Sequence, residues 1–192
     1  MLEQLLELER DWFFAINSSN HLWLDYFMLA FAGVWIWCPL VIVPAYFLIK
    51  KRKEWIPISI CTVMTGVLNG LLTFMLIKPL FMRFRPTSHP LFMEKVRLLN
   101  GYIADGDYGF ISGHSTNAFA FALMSALFIK NKWYSIFIFI WASIMVYSRV
   151  YLGVHFITDV IPGMLLGLLI GWFLYKVASN EKFNIFAAGK KN

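Results

Sequence analysis

Residues 55–81 read WIPISICTVMTGVLNGLLTFMLIKPLF and contain a single charged side chain, Lys78. Because an α-helix needs about 20 predominantly apolar residues to cross a bilayer, this stretch predicts a membrane-spanning helix. The whole composition agrees, since 59% of the 192 residues are hydrophobic and 15% are charged. Soluble domains have roughly 45–50% apolar and about 25% charged residues. The sequence therefore predicts a single membrane-embedded domain, an all-α bundle of transmembrane helices.

Four further apolar runs indicate additional spans, and an amphipathic segment precedes them. Residues 1–20 combine an apolar face with acidic side chains and are too charged to span. We expect this segment to lie in the membrane interface, with a partly inserted sixth helix as the alternative. The five predicted spans cover residues 24–49, 55–81, 115–130, 133–151 and 156–177.

Basic residues cluster in short loops, which predicts the orientation of the chain. The 50–53 loop, the 130–132 loop and the 179–192 tail hold many of the lysines, and the positive-inside tendency assigns them to the cytoplasm. The 82–114 segment and the 150–156 turn then face outward. The sequence predicts a multi-pass protein of the cytoplasmic (inner) membrane with a site on the periplasmic or exterior side. The net charge is +6, but the basic stretches are not interleaved with aromatic residues that could stack on bases. No nucleic-acid partner is therefore expected.

Polar side chains are costly within a membrane and mark candidate functional sites. His155 and Asp159 are four residues apart, so they share one face if the fifth span begins as a helix. A carboxylate beside an imidazole fixes its tautomer and leaves the other ring nitrogen available as a base or nucleophile. The same spacing also fits a structural pair, in which the aspartate satisfies a buried histidine.

Two other polar clusters are predicted at the same outward end of the spans. The run Ser112-Gly113-His114-Ser115 has the features of a helix start, where free N–H groups and the helix dipole bind anions. Lys78 and Arg85 can bind an anion or extend toward the interface as span-end cations. For Arg83 we expect the second behaviour.

Taken together, the three clusters predict phosphoryl chemistry. Three cations, Lys78, Arg85 and Arg149, are expected to converge with two histidines and one acid. A phosphate monoester has a charge of about −1.5 to −2, and arginine forks match its oxygens. The sequence has no acidic cluster with metal-ligand spacing, which argues against a two-metal mechanism.

These clusters resemble the three signatures of the type 2 phosphatidic acid phosphatase superfamily, in the expected order over about residues 20–178. Two positions depart from the family pattern: Ile111 stands where proline is usual before the second signature, and Pro162 lies early in the fifth predicted span. The matching residues are Lys78 and, after six residues, Arg85-Pro86; then Ser112-Gly113-His114; then Ser148-Arg149, His155 and Asp159.

The resemblance implies a role for each signature residue and requires no cofactor or metal. His155 would be the nucleophile and form a phosphohistidine, and Asp159 would orient it and stabilise its positive form. His114 would protonate the leaving oxygen and then activate water. The phosphoryl oxygens would be held by the remaining signature residues: Lys78, Arg85, Ser112, Gly113 and Arg149.

The expected partners are the lipid bilayer and a lipid phosphate substrate. Undecaprenyl diphosphate is the favoured substrate, because the chain is short and has no extra domain. Phosphatidylglycerophosphate, phosphatidic acid and lipid A are the alternatives, and segment 87–109 is expected to shape the substrate entrance. A non-enzymatic lipid-binding protein and a vanadate-dependent haloperoxidase are remote alternatives, the latter because its members are soluble.

Overall fold

The structure is a computed structural model that describes residues 2–33, 37–50, 55–102 and 106–180. Most of the predicted 50–53 loop and nearly all of the 179–192 tail lie outside the described residues. The all-helical prediction is confirmed. The α-helices are α1 (Leu2–Asn17), α2 (Leu22–Ala32), α3 (Cys38–Ile49), α4 (Trp55–Asn69), α5 (Lys78–Phe81), α6 (Gly113–Ile129), α7 (Lys132–Tyr151) and α8 (Ile157–Ser179).

Within the described part of the chain, three helical stretches are long and apolar enough to cross a membrane. The first is Trp55–Phe81, in which a π-helix, Gly70–Ile77, joins α4 to α5. Its bounds are those predicted from the sequence. The other two are α7 and α8, which correspond to the predicted spans 133–151 and 156–177.

The predicted span over residues 24–49 differs from the structure, which has two shorter helices there. Helix α2 ends at Ala32, because Gly33 adopts an extended conformation with φ −80° and ψ −171°. Helix α3 has a proline, Pro39, at its second position. Proline has no N–H to donate and is therefore favoured at a helix start. A glycine followed by a helix-starting proline explains why one apolar run forms two helices.

Helix α6, predicted over residues 115–130, lies in the centre of the bundle. Its 17 residues extend about 26 Å at 1.5 Å per residue, and most of its side chains are buried. Helix α8 packs directly on it. A Cβ atom at Gly167 would lie 2.4 Å from the carbonyl oxygen of Thr116, and one at Gly171 would lie 2.4 Å from that of Ala120. Glycines therefore allow the two backbones to touch, which aligns the starts of both helices.

Helix α1 packs one face on the bundle and leaves the other exposed. Phe13 and Asn17 are buried, whereas Leu5 and Trp12 are exposed. The Asn17 amide donates to the carbonyl oxygen of Tyr151 at 2.9 Å and accepts from the Arg97 N–H at 2.8 Å. These bonds fix the segment that follows α5 against the ends of α1 and α7. The interfacial position of α1 remains a prediction.

Candidate active site

The turn between α7 and α8 holds the predicted histidine–aspartate pair. His155 precedes α8, and Asp159 is in its first turn, where its Oδ2 accepts the backbone N–H of Phe156 at 2.9 Å. The same oxygen lies 3.6 Å from Nδ1 of His155. Both side chains are almost completely buried, with exposed fractions of 2% and 0%. The pair therefore forms because Asp159 folds back over the helix N-terminus toward the residue before it.

Arg85 approaches the opposite side of the imidazole. Its Nη1 lies 3.0 Å from Nε2 of His155 and donates to the carbonyl oxygen of Val154 at 3.0 Å, while its Nε donates to that of Gly106 at 2.8 Å. A guanidinium can only donate, so this contact fits a neutral imidazole with its proton on Nδ1. Nε2 then has the lone pair and accepts from Arg85, whose N–H can move to a phosphoryl oxygen when a substrate binds and so release the lone pair for attack.

Burial and neighbouring charges both favour the neutral imidazole. Burial, followed by the positive charges of Arg85, Lys78 and Arg149, holds the pKa of His155 well below its ordinary value. The imidazole is therefore neutral at neutral pH, which is the form in which a ring nitrogen can act as a nucleophile.

The second predicted cluster forms the N-terminus of α6. Ser112 is the N-cap, its Oγ accepts the Ser115 N–H at 3.4 Å, and its own N–H donates to the Asp159 carbonyl oxygen at 3.0 Å. Gly113 is packed tightly, because a Cβ there would lie 3.0 Å from the Phe74 ring. The next residue, His114, has its ring 5.5 Å from that of Trp37. The anion-binding end of the helix is thus joined to the turn that holds the His155–Asp159 pair.

Lys78 and Arg149 complete the predicted set of cations. Lys78 is buried, with Nζ 4.2 Å from the centre of the Phe74 ring. Arg149 is also buried and donates to Tyr102 Oη at 2.9 Å and to Ser148 Oγ at 3.0 Å. The charges of Lys78, Arg85 and Arg149 act on both His155 and His114. The structure therefore brings the three cations and two histidines into one region, with Arg85 alone among these cations hydrogen-bonded to His155 in the described residues.

Sequence reasoning missed two close neighbours of the pair. Gly109 lies so near that a Cβ there would be 2.9 Å from Asp159 Oδ2 and 3.5 Å from His155 Nδ1. Arg83, expected to extend toward the interface, instead donates from Nη1 to Asp159 Oδ1 at 2.7 Å. Its two-residue spacing from Arg85 is a signal that could have found it, because alternate residues of an extended segment point to one side.

The chain belongs to the PAP2 superfamily, whose family model matches residues 54–183. Together with the apolar helices and the buried cation–histidine site, this makes it a membrane PAP2 lipid phosphatase, a hydrolase of phosphate esters.

Two relatives have the same name, lipid A 4'-phosphatase. The chain is 40% identical over 178 residues to a lipid A 4'-phosphatase of Porphyromonas gingivalis, which covers 92% of this chain and 75% of that protein. It is 32% identical to a lipid A 4'-phosphatase of Bacteroides thetaiotaomicron, over 93% of this chain and 80% of that protein.

A solved structure has the same fold. The crystal structure of the transmembrane PAP2 type phosphatidylglycerolphosphate phosphatase from Bacillus subtilis superposes with a TM-score of 0.69 at 26% identity, covering 95% of this chain and 89% of that chain.

Proposed function

We propose that the protein removes a phosphate group from lipid A, at the 4' position. The support is the pair of lipid A 4'-phosphatases, which match over 92% and 93% of this chain. The sequence alone favours undecaprenyl diphosphate, on the weaker ground of a short chain with no extra domain, and has lipid A among the alternatives. The relatives favour lipid A over undecaprenyl diphosphate.

The chemistry of the proposal follows from one observation, the placement of His155 between Arg85 and Asp159. Nε2 attacks the phosphorus atom, and a P–N bond forms as the P–O bond to the lipid breaks. The ring then becomes cationic, and the Asp159 carboxylate on its Nδ1 side stabilises that charge. Asp159 is the orienting residue because its Oδ2 lies 3.6 Å from Nδ1.

His114 supplies the proton transfers of both steps. In the empty site, burial and the neighbouring cations lower the pKa of His114 to about 3, so His114 takes up its proton only when the charge of the bound phosphate offsets those cations. The imidazolium then gives this proton to the departing lipid oxygen, and the neutral ring removes one from the water that attacks the phosphohistidine. The second step breaks the P–N bond, returns the electron pair to Nε2 and releases inorganic phosphate. Lys78, Arg85 and Arg149, with the Ser112 hydroxyl and the Gly113 N–H, hold the phosphoryl oxygens during both steps.

The proposed location of this site is the outward face of the cytoplasmic membrane. The turn holding His155 and the start of α6 lie at the end of the bundle opposite the turn between α6 and α7. That turn contains Lys130 and Lys132, and the positive-inside tendency assigns it to the cytoplasm. A substrate embedded in the outer leaflet would then present its phosphate directly to the buried cations.

The test is phosphate release by purified protein in detergent with excess chelator. Lipid A, undecaprenyl diphosphate, phosphatidylglycerophosphate and phosphatidic acid are offered separately, and mass spectrometry of the lipid A product identifies the phosphate that is lost. We expect 4'-dephosphorylated lipid A from the wild type and from His21→Ala, an exposed histidine at the start of α2, but none from His155→Ala. Preference for another lipid would overturn the substrate, and release by His155→Ala would overturn the mechanism.

A further inference from the structure

Asp159 is held by a second arginine on the side away from His155. Arg83 Nη1 donates to Oδ1 of Asp159 at 2.7 Å, which leaves Oδ2 for the Phe156 N–H and the imidazole of His155. A carboxylate with no exposed surface is stable as an anion only if it is paired and hydrogen-bonded. The contact with Arg83 therefore supports both the charge and the direction of Asp159.

The backbone explains why two arginines reach the same pair. Met82 has a left-handed conformation with φ 44°, and the chain then becomes extended. The Arg83 carbonyl oxygen accepts the Gly109 N–H at 2.8 Å, and the Arg85 N–H donates to the Asp107 carbonyl oxygen at 2.8 Å. Residues two apart in such a segment point to one side, so Arg85 reaches His155 while Arg83 reaches Asp159.

Helix α1 supplies the acid that holds Arg83. Glu9 Oε2 accepts from Arg83 Nη2 at 2.5 Å. Glu9 is buried, with 7% of its surface exposed, whereas the other acids of α1 are exposed to the outside. The hydroxyl of Thr158 bridges the two, accepting from Arg83 Nη1 at 2.6 Å and donating to Glu9 Oε1. The guanidinium carbon also lies 4.8 Å from the centre of the Phe156 ring. Arg83 is thus fixed by groups from α1 and α8 together.

We propose that Arg83 is a positioning residue for the phosphatase reaction, which acts through Asp159 and is itself held in place by Glu9. This inference rests on the roles proposed for His155 and Asp159. It makes α1 a component of the active site, because α1 contributes the acid that fixes the orienting carboxylate. Without Arg83, Asp159 can turn away from Nδ1, and the imidazole loses its alignment with the phosphorus atom.

The first experiment separates turnover from binding in Arg83 variants, using the lipid phosphate that the wild type hydrolyses best. A misplacement of about 1 Å can cost about 10²-fold in rate, and we expect Arg83→Ala to lower kcat by about that factor while KM changes less than about twofold. Arg83→Lys keeps the positive charge but not the planar guanidinium that donates several hydrogen bonds at once. Its kcat should therefore lie between those of Arg83→Ala and the wild type. Arg10→Ala is the matched control, because Arg10 lines the same cavity but donates to the Leu6 carbonyl oxygen of its own helix.

Added guanidinium separates a positioning role from a purely structural one. If Arg83 only stabilised the fold, guanidinium would not change kcat of the folded Arg83→Ala variant. Arg83 borders a cavity of about 470 Å³ that is lined by α1 and the segment after α5, so a small cation can enter the space left in Arg83→Ala. We expect guanidinium to raise kcat of purified Arg83→Ala and to leave Arg83→Lys and the wild type unchanged.

Glu9 is tested by comparison with Glu7, an exposed acid on the same helix. We expect Glu9→Gln to lower kcat and Glu7→Gln to have no effect. Because Glu9 is proposed to act through Arg83, the double variant Glu9→Gln, Arg83→Ala should have the kcat of Arg83→Ala alone.

Three results would overturn the inference while His155→Ala remains inactive. These are a wild-type kcat in Arg83→Ala or Arg83→Lys, a loss of kcat that guanidinium fails to restore in folded Arg83→Ala, and additive effects of the Glu9 and Arg83 changes. If Arg83→Ala fails to fold, the kcat values of Arg83→Lys and Glu9→Gln test the inference, and wild-type values in both would overturn it. Retained activity in His155→Ala would instead refute the proposed function.

Discussion

Gly109 sets how close the backbone comes to the His155–Asp159 pair. A Cβ there would lie 2.9 Å from Asp159 Oδ2 and 3.3 Å from Arg85 Cγ. We expect Gly109→Ala to displace these groups and to lower kcat by about 10-fold to 10²-fold, since small misplacements in an active site have effects of this size. Phosphate release per amount of folded protein is the measurement. Gly66→Ala is the control, since nothing lies within 4 Å of a Cβ at Gly66; equal rates in the two variants would contradict the prediction.

The ionisation of His155 determines the response to acid. Burial and the charges of Arg85, Lys78 and Arg149 hold its pKa well below the ordinary value, so the nucleophile stays neutral as the pH falls below about 6.5, the usual histidine pKa. We expect the acid limb of kcat/KM, which reports the free enzyme, to lie below that pH. A rate profile between pH 4 and 8 in one detergent tests this, and an acid limb at or above about 6.5 would show that the imidazole is not held neutral.

Residue types and spacing were enough to find His155, Asp159 and Arg85, but not the residues that hold them. The four-residue interval made the His155–Asp159 contact predictable, because it depends on one helix start. The spacing of Arg83 from Arg85 indicates that the two share a side only if their segment is extended. That conformation depends on the left-handed Met82 and on pairing with residues 107–109, neither of which has a signal in the sequence. Glu9 is 74 residues from Arg83, and only the packing of α1 brings them together.

At the scale of elements, the contact between α6 and α8 depends on glycines spaced by four residues. A Cβ at Gly167 would lie 2.4 Å from the Thr116 carbonyl oxygen, and backbone atoms cannot yield as a flexible side chain can. We expect Gly167→Ala to separate the helices and to destabilise the protein by about 1–3 kcal/mol, as overpacking does.

Thermal unfolding in detergent measures this effect, with Gly66→Ala in α4 as the matched control. Gly66 has open space around it, so the added methyl should be neutral or stabilise the helix by up to about 1 kcal/mol. If both alanine variants unfold at the wild-type temperature, the helices are not in the close contact that the structure describes.

Hydropathy predicted where helices occur better than it predicted where they break. The bounds of Trp55–Phe81 follow from its apolar composition, but the π-helix Gly70–Ile77 within it has no distinct composition and was not predicted. The break between α2 and α3 was missed because residues 24–49 are apolar throughout, so hydropathy outweighed the local preferences of Gly33 and Pro39. Helix α6 was predicted as a span, and its central, buried position arises from packing against α8.

At the scale of the whole molecule, the site and its membrane orientation are linked. The buried cations lie at the end of the bundle that holds His155 and the start of α6, so we expect a lipid phosphate to approach from that end. The short turn between α6 and α7 lies at the other end of those helices and contains Lys130 and Lys132. The positive-inside tendency therefore predicts that the site opens away from the cytoplasm.

Cysteine labelling in whole cells tests this orientation. In a background without Cys38 and Cys61, single cysteines replace Glu94, in the segment after α5, or Lys132, at the start of α7; both positions are exposed. We expect a membrane-impermeant maleimide with access to the outer face of the cytoplasmic membrane to label Glu94→Cys in intact cells, and Lys132→Cys only after that membrane is permeabilised. The reverse pattern would place the active site on the cytoplasmic side. Activity of both variants confirms that the labelled protein is folded, so the pattern reports topology alone.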